Sequence, residues 1–429
     1  MINGTVTTVK KRMFTVKTST LYKIGFLVYL SAYLCARDIA IIKVGGFAIY
    51  SACVFLGFIF ELTDYKKEVF KTKYTMAFGI VIWFCAFFGY AFFSAVWALE
   101  PSKVFTMKNA VIQIGLVMLY LCYTIRSIEE IFSYLKLVVW ANLVSVIVIF
   151  ALTPIDEWGS GRIGPVVGWH ENDVGLHLAF AAVIAFYFAV RKHKPVYLAL
   201  AVLLGGIMLF TGSRQSLVVL MLGMFMYAVL FSKNILITLR NLVITIGIVI
   251  IVGIIIFNVK GIYDVLGTRI EDLIAQFLGD TDADGSAVER GYFANKALEA
   301  FGENPVFGMG LSNFSVYLSK IGYTKVTWSH NNYLELMSGL GIVGLIIYYS
   351  YLVYVEVYAV RLLKYRCDCI NMTLILMTIY LLVDFVAVNL FLSYGYIFYT
   401  FCFIAAKMLV QDIRNNTHVS DKKSKGMVQ

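Results

Sequence analysis

The sequence predicts an all-α fold: a polytopic integral membrane helix bundle of about twelve transmembrane helices with one long extracytoplasmic loop. Three observations predict it. Of the 429 residues, 60% are hydrophobic and 14% charged, too little polar surface to cover a water-soluble core of this size. Apolar runs of roughly 17 to 25 residues recur from end to end, each long enough to cross about 30 Å of hydrocarbon. These runs are apolar on every face, whereas a membrane barrel alternates in strands of about 10 residues.

In chain order, the first run, 21–36, has no small-residue cleavage site behind it and reads as a retained helix rather than a signal peptide. The second, 39–60, begins close behind it, and runs at 75–97, 104–124, 132–152 and 173–190 follow. The seventh and eighth, 195–211 and 214–231, are separated only by a turn at Gly212-Ser213. The ninth, 241–258, leads into a stretch of altered composition, after which 331–357, 371–389 and 394–412 complete the set. All of 1–429 reads as one membrane domain, with 1–20 and 413–429 as tails.

Basic residues set the orientation, because Lys and Arg are retained on the cytoplasmic side during insertion. One set of flanks holds Lys10, Lys11, Arg12 and Lys17, then Lys66, Lys67, Lys71 and Lys73, then Arg126. It continues with Arg191, Lys192 and Lys194, Lys233 and Arg240, Arg361, Lys364 and Arg366, and ends with Arg414, Lys422, Lys423 and Lys425. Both termini are therefore expected in the cytoplasm, and 259–330 on the opposite side of the cytoplasmic (inner) membrane. The net charge of +10 is explained by topology, and a nucleic-acid partner is not implied. The seven cysteines fall mostly inside the runs, which supports neither a disulfide framework nor a CxxC metal site, and Cys367 and Cys369 read as reduced thiols on a cytoplasmic turn.

The 259–330 segment mixes acidic and basic residues as a folded surface does. Ala287 to Ala300 reads as an amphipathic helix with Val288, Tyr292, Ala294, Leu298 and Phe301 on its apolar face. Gly302, Asn304-Pro305 and Gly308-Met309-Gly310 then form turns. Asp280 to Gly285 resembles a calcium loop only superficially, lacking the closing Glu and flanking helices, and reads as a solvated acidic turn. No metal-ligand or nucleotide-binding signature appears, so neither a metal nor a cofactor is expected.

Ionisable groups at the outer membrane face stand out against so apolar a background. Arg162 lies in the Gly161–Gly175 connection before the sixth run, and Arg214 in the Gly212–Ser216 turn. Arg290 is on the loop helix, and His330 stands where the loop re-enters the membrane. Each has a plainer reading: Arg214 as a cap of the seventh helix or a snorkelling cation, Asn332 with Glu335 as a capping box, and His170 and His177 as interfacial imidazoles. Gly339, Gly341 and Gly344 read as positions of close helix packing. Jointly, three arginines and a histidine around one extended loop suit an anion, with Arg permanently charged and His able to move a proton near neutral pH.

These segments resemble the O-antigen ligase/Wzy-type polysaccharide polymerase family. The resemblance rests on Ser94–Pro101 (SAVWALEP), the Gly161–Gly175 connection, the Gly212-Ser-Arg-Gln-Ser216 turn and the Glu289–Phe314 loop pattern. It rests most specifically on Ser329-His-Asn-Asn-Tyr-Leu-Glu-Leu-Met-Ser-Gly-Leu-Gly-Ile-Val-Gly344. It implies a catalytic His330 and Arg290, with Arg162 and Arg214 holding the donor's pyrophosphate and Asn172, Asn331, Asn332 and Glu335 in support. Where the family often shows Asn-Pro-Asn, this chain has His170-Glu-Asn-Asp173.

The activity so implied is an inverting, metal-independent glycosyltransferase that joins undecaprenyl-pyrophosphate-linked oligosaccharides, donor and acceptor, in the bilayer, alongside a chain-length regulator and a flippase. Transfer of the finished glycan to lipid A core or another acceptor is the alternative within the family. A flippase or secondary transporter is the alternative of another class, disfavoured because the ionisable residues sit mostly at helix ends, with few exceptions such as Asp384, and no two similar halves are evident.

Overall fold

The computed structural model describes residues 18–36, 38–63, 69–278, 285–323 and 327–426. Lys10, Lys11, Arg12, Lys17, Lys66 and Lys67, and 280–284 of the acidic turn, lie outside the described residues. No strand forms among the described residues, as backbone amides in hydrocarbon require when no barrel closes. The long helices are α1 (Thr18–Cys35), α2 (Ala40–Thr63), α3 (Val69–Phe93), α4 (Lys108–Thr124), α5 (Ile128–Leu152), α6 (Glu171–Arg191), α7 (Pro195–Phe210), α8 (Arg214–Leu230) and α9 (Ile235–Asn258). The segment after α9 carries α10 (Thr268–Phe277), α11 (Gly285–Glu303) and α12 (Phe314–Lys320), and the chain ends with α13 (Asn332–Leu362), α14 (Asp368–Val383) and α15 (Ser393–Gly426).

Local chemistry sets the helix starts. Ser127, Ser213 and Asn234 each accept the amide three residues on, capping α5, α8 and α9. Pro195 opens α7, where its missing N–H costs nothing. Eight of the described helices are long and apolar enough to cross a membrane. Three of the expected spans are shorter apolar helices, Pro195–Phe210, Arg214–Leu230 and Asp368–Val383. The expected 371–389 run stops at Val383 because 384–392 folds back as turns, and the last helix continues through Gly426.

The bundle has a clear centre and edge. Within the spanning windows, 78% of α6 and 83% of α15 are buried, against 6% of α9, so α6 and α15 form the core while α9 leans on α8 at the periphery. Aromatic rings fill the centre, with Phe180, Tyr380, Tyr394 and Phe398 in mutual ring contact.

The 259–330 segment has a small core of its own, built from Phe293, Ala297 and Ala300 of α11 with Met309, Phe314, Tyr317 and Leu318. This corrects the expected apolar face of that helix. Val288, Tyr292 and Leu298 are exposed, because the side carrying one phenylalanine and two alanines lets α11 approach its neighbours closely.

Helix α13 is broken at Gly341, whose φ of +65° and ψ of −170° are not helical. A break strands carbonyls on one side and amides on the other. Residues 305–310 take both: Met309 N donates to Ser338 O at 3.0 Å and Gly310 N to Gly339 O at 2.8 Å, while Ile342 N donates to Pro305 O at 2.9 Å and Val343 N to Val306 O at 3.3 Å. Tyr90 Oη donates to the Leu340 carbonyl at 2.8 Å. A Cβ on Gly341 would overlap the Val306 carbonyl, and one on Gly308 the Gly339 carbonyl. Gly339 and Gly341 therefore serve a helix-to-loop splice rather than helix packing, whereas Gly344 does face Tyr90 of α3.

Gly341→Ala combines a clash with a left-handed backbone that costs about 1–3 kcal/mol. The detergent-solubilised variant is expected to unfold at a clearly lower temperature than Gly247→Ala, a helical position with open space around it, in a thermal melt.

Candidate functional site

Five of the segments carrying the resemblance meet at one end of the bundle, each placed by a local device. Ser94–Pro101 underpins the splice: Leu311 N donates to Ser94 Oγ at 3.0 Å, Leu99 N to Met309 O at 3.1 Å and Glu100 N to Asn313 Oδ1 at 2.8 Å. With 305–313 so fixed, α11 lies against α13 and brings Arg290, one turn before Phe293, to the point where the chain re-enters the bundle.

His330 sits at that point. Its φ is +56°, an uncommon conformation for a side-chain-bearing residue, held by its neighbours. Ser329 N donates to Glu335 Oε2 at 2.9 Å, and Ser329 Oγ to the Asn331 carbonyl at 2.8 Å. The imidazole lies 5.9 Å from the Phe293 ring. The expected capping box is displaced by one position: Asn331 is the cap, accepting Leu334 N at 3.1 Å, and Glu335 reaches past it to Ser329. Asn332 turns inward instead, because a stronger buried partner is present.

That partner is Asp384, fully buried in the segment after α14. It accepts from Asn389 Nδ2 at 3.0 Å, Tyr349 Oη at 2.8 Å and Asn332 Nδ2 at 3.3 Å, and its carbonyl accepts Asn332 N at 2.7 Å. Asn389 N closes the ring on Asn332 Oδ1 at 3.2 Å. A buried carboxylate is tolerated only with such partners. The network ties 384–392 to the start of α13, so Val386, Ala387 and Val388 wall the space beside His330.

The arginines come from three further elements. Arg214 opens α8 behind the Ser213 cap and donates to the Arg269 carbonyl at 3.0 Å, rather than capping α7. Arg162 donates Nε to Thr211 O at 2.7 Å and Nη2 to Asn172 Oδ1 at 2.6 Å, with Glu171 Oε2 3.5 Å away. Burial and the nearby Arg269 charge pull the Arg162 guanidinium down to about 10, with Glu171 opposing and Arg290 and Arg214 adding to the depression. It stays protonated at neutral pH, inside a cluster of four guanidiniums.

Two cavities open onto this cluster and share Gln215, Arg290 and Val386. One, about 330 Å³, is apolar along α8 and α14, through Val218, Leu222, Ile379 and Leu382, with Arg214 and Arg290 at its head. The other, about 270 Å³, is polar, lined by His330, Arg290, His170, Asn172, Asp173 and Trp328 among others. Of the residues expected from sequence, His330, Arg290 and Asn172 line the polar cavity and Arg214 the apolar one, while Arg162, Asn331, Asn332 and Glu335 stand behind them. His177 lies away from both, buried between Trp169 and Tyr394. Sequence reasoning passed over Arg269, Gln215, Trp328 and the Asp384 network. Only Asp384 carried a signal, as an ionisable residue inside an apolar run. Among the described residues no group of three or more His, Cys, Asp or Glu side chains converges as a metal site.

Residues 199–349 match the family model for O-antigen ligase, Wzy_C, which supports the O-antigen ligase/Wzy-type family for this chain. The matched stretch includes Arg214, Arg269, Arg290, His330 and the Gly341 break, and leaves Arg162, Asn172 and Asp384 outside it. No curated protein matches the chain.

Asp384→Ala leaves Asn389 Nδ2 and Tyr349 Oη without this acceptor, at about 1–3 kcal/mol for each unpaired group, while Asn332 Nδ2 keeps Tyr349 Oη at 3.0 Å. A lowered unfolding temperature is expected, with Asp384→Asn intermediate because it keeps an acceptor oxygen.

Proposed function

We propose that this chain is a polysaccharide polymerase of the O-antigen ligase/Wzy type, an inverting glycosyltransferase that joins undecaprenyl-pyrophosphate-linked oligosaccharide repeat units on the outer face of the cytoplasmic membrane. One observation carries the reading: the two cavities meet at Arg290, so that apolar groove, paired guanidiniums and polar imidazole pocket follow in sequence. A lipid diphosphate bearing a sugar has its parts in the same order. The prenyl chain lies along α8 and α14, the diphosphate at Arg214 and Arg290, and the first sugar beside His330.

In the transfer, an acceptor-sugar hydroxyl oxygen bonds to the anomeric carbon of the donor from the face opposite the leaving group. The bond from that carbon to the diphosphate oxygen breaks, and its electron pair departs with the diphosphate. Arg214 and Arg290 stabilise that charge by bidentate hydrogen bonds in a site poor in water. His330 takes the hydroxyl proton and passes it to solvent. The guanidiniums supply the charge neutralisation, so the reading needs no metal or cofactor. Both termini and the Lys- and Arg-rich flanks lie in the cytoplasm, and 259–330 covers the site from outside.

His330→Ala and Arg290→Ala are expected to abolish extension of native lipid-linked oligosaccharide by the purified protein, by about 100-fold or more, while insertion and melting stay near wild type. Ladders of wild-type length in either variant overturn the assignment. A single addition onto lipid A core without a ladder assigns ligase instead, and movement of the lipid across vesicles without a longer product assigns a transporter.

A further inference from the structure

The turn that presents Arg214 is held from two sides. Arg162 takes the Thr211 carbonyl on one side at 2.7 Å, and on the other Arg269, from the first turn of α10, donates Nη1 to the Gly212 carbonyl at 3.0 Å. Arg214 returns a hydrogen bond to the Arg269 carbonyl at 3.0 Å, so turn and helix are locked reciprocally. The approach is close: Gly212 has φ +61°, and a Cβ there would stand 2.8 Å from the Val265 carbonyl. Thr211 and Ser213 on either side are buried.

The arrangement is a costly one for structure alone. A neutral donor would satisfy the Gly212 carbonyl as well, yet the chain places there a guanidinium whose charge, like those of Arg290 and Arg214, weighs against the protonated form of Arg162. Among those neighbours, the Arg269 charge acts on Arg162 more strongly than Arg290 or Arg214 does. Arg269 nevertheless lines neither cavity. It is thus placed to act on an anion through Arg214 and through the field of the cluster, without touching it.

We propose that Arg269 is a positioning residue of the anion site. It clamps the Gly212 carbonyl so that the Arg214 guanidinium is aimed at the diphosphate, and it adds a fourth positive charge to the cluster that draws the anion in. The inference rests on reading Arg214 and Arg290 as diphosphate ligands.

The test measures binding of undecaprenyl diphosphate, and of inorganic pyrophosphate, to the full-length protein in detergent by calorimetry, with a thermal melt on each variant. Arg269→Ala is expected to weaken both probes by about tenfold without lowering the melting temperature. Arg269→Lys, which keeps the charge but not the planar fork, recovers part of the loss. The double variant Arg214→Ala/Arg269→Ala loses less than the sum of the two single losses, because the clamp acts only through Arg214 while the Arg269 charge acts on the anion directly. Wild-type affinity in Arg269→Ala, a loss additive with that of Arg214→Ala, or a loss that tracks a lowered melting temperature overturns the inference and leaves the diphosphate reading standing. If the wild-type protein binds neither probe, the diphosphate reading itself fails and the inference falls with it.

Discussion

The break in α13 at Gly341 is the constraint on which the site depends. A membrane helix satisfies its own backbone, and an interruption within it survives only if other protein groups replace the lost bonds. Here 305–310 replace them, with two amides given to stranded carbonyls and two carbonyls to stranded amides, while Tyr90 takes the third carbonyl. The exchange ties the long segment to the bundle by main-chain hydrogen bonds, which are stiffer and more exacting in register than side-chain packing. Arg290 on α11 is thereby referred to the same framework as His330 on the approach to α13.

The opposite wall is held by different physics. Asp384 is a buried carboxylate whose acceptor capacity is filled by Asn389, Tyr349 and Asn332, and the resulting ring ties 384–392 to the start of α13. One side of the polar cavity is thus hung on a backbone splice and the other on a polar network. Both converge on the few residues around His330, whose left-handed backbone is held between them.

Charge organises the rest. Arg162, Arg214, Arg269 and Arg290 come from four separate elements, and the carboxylate standing against Arg162 is Glu171. The neighbouring guanidiniums weigh against the protonated form of Arg162, with Glu171 opposing them. The cluster's placement at the head of an apolar groove suits an amphiphilic anion better than a free one.

The sequence by itself determined the solvent, because hydrophobic runs of membrane length admit only helices. It also determined the list of chemical groups, because Arg162, Arg214 and His330 stand at run ends where desolvation demands a reason, and Arg290 on the helix of the loop between two of the runs. What it could not convey was which groups share a space. The string Ser338-Gly-Leu-Gly-Ile-Val-Gly344 reads equally as small residues for helix packing, and only the arrival of 305–310 made it a splice. Asn332 reads as a cap until Asp384, 52 residues on, draws it inward. Arg269 had no local pattern to mark it, since its partner is a main-chain carbonyl in a turn 57 positions away. Hydrophobic length and charge placement are local properties of the chain, whereas hydrogen bonds between distant segments exist only once packing has brought their donors and acceptors together.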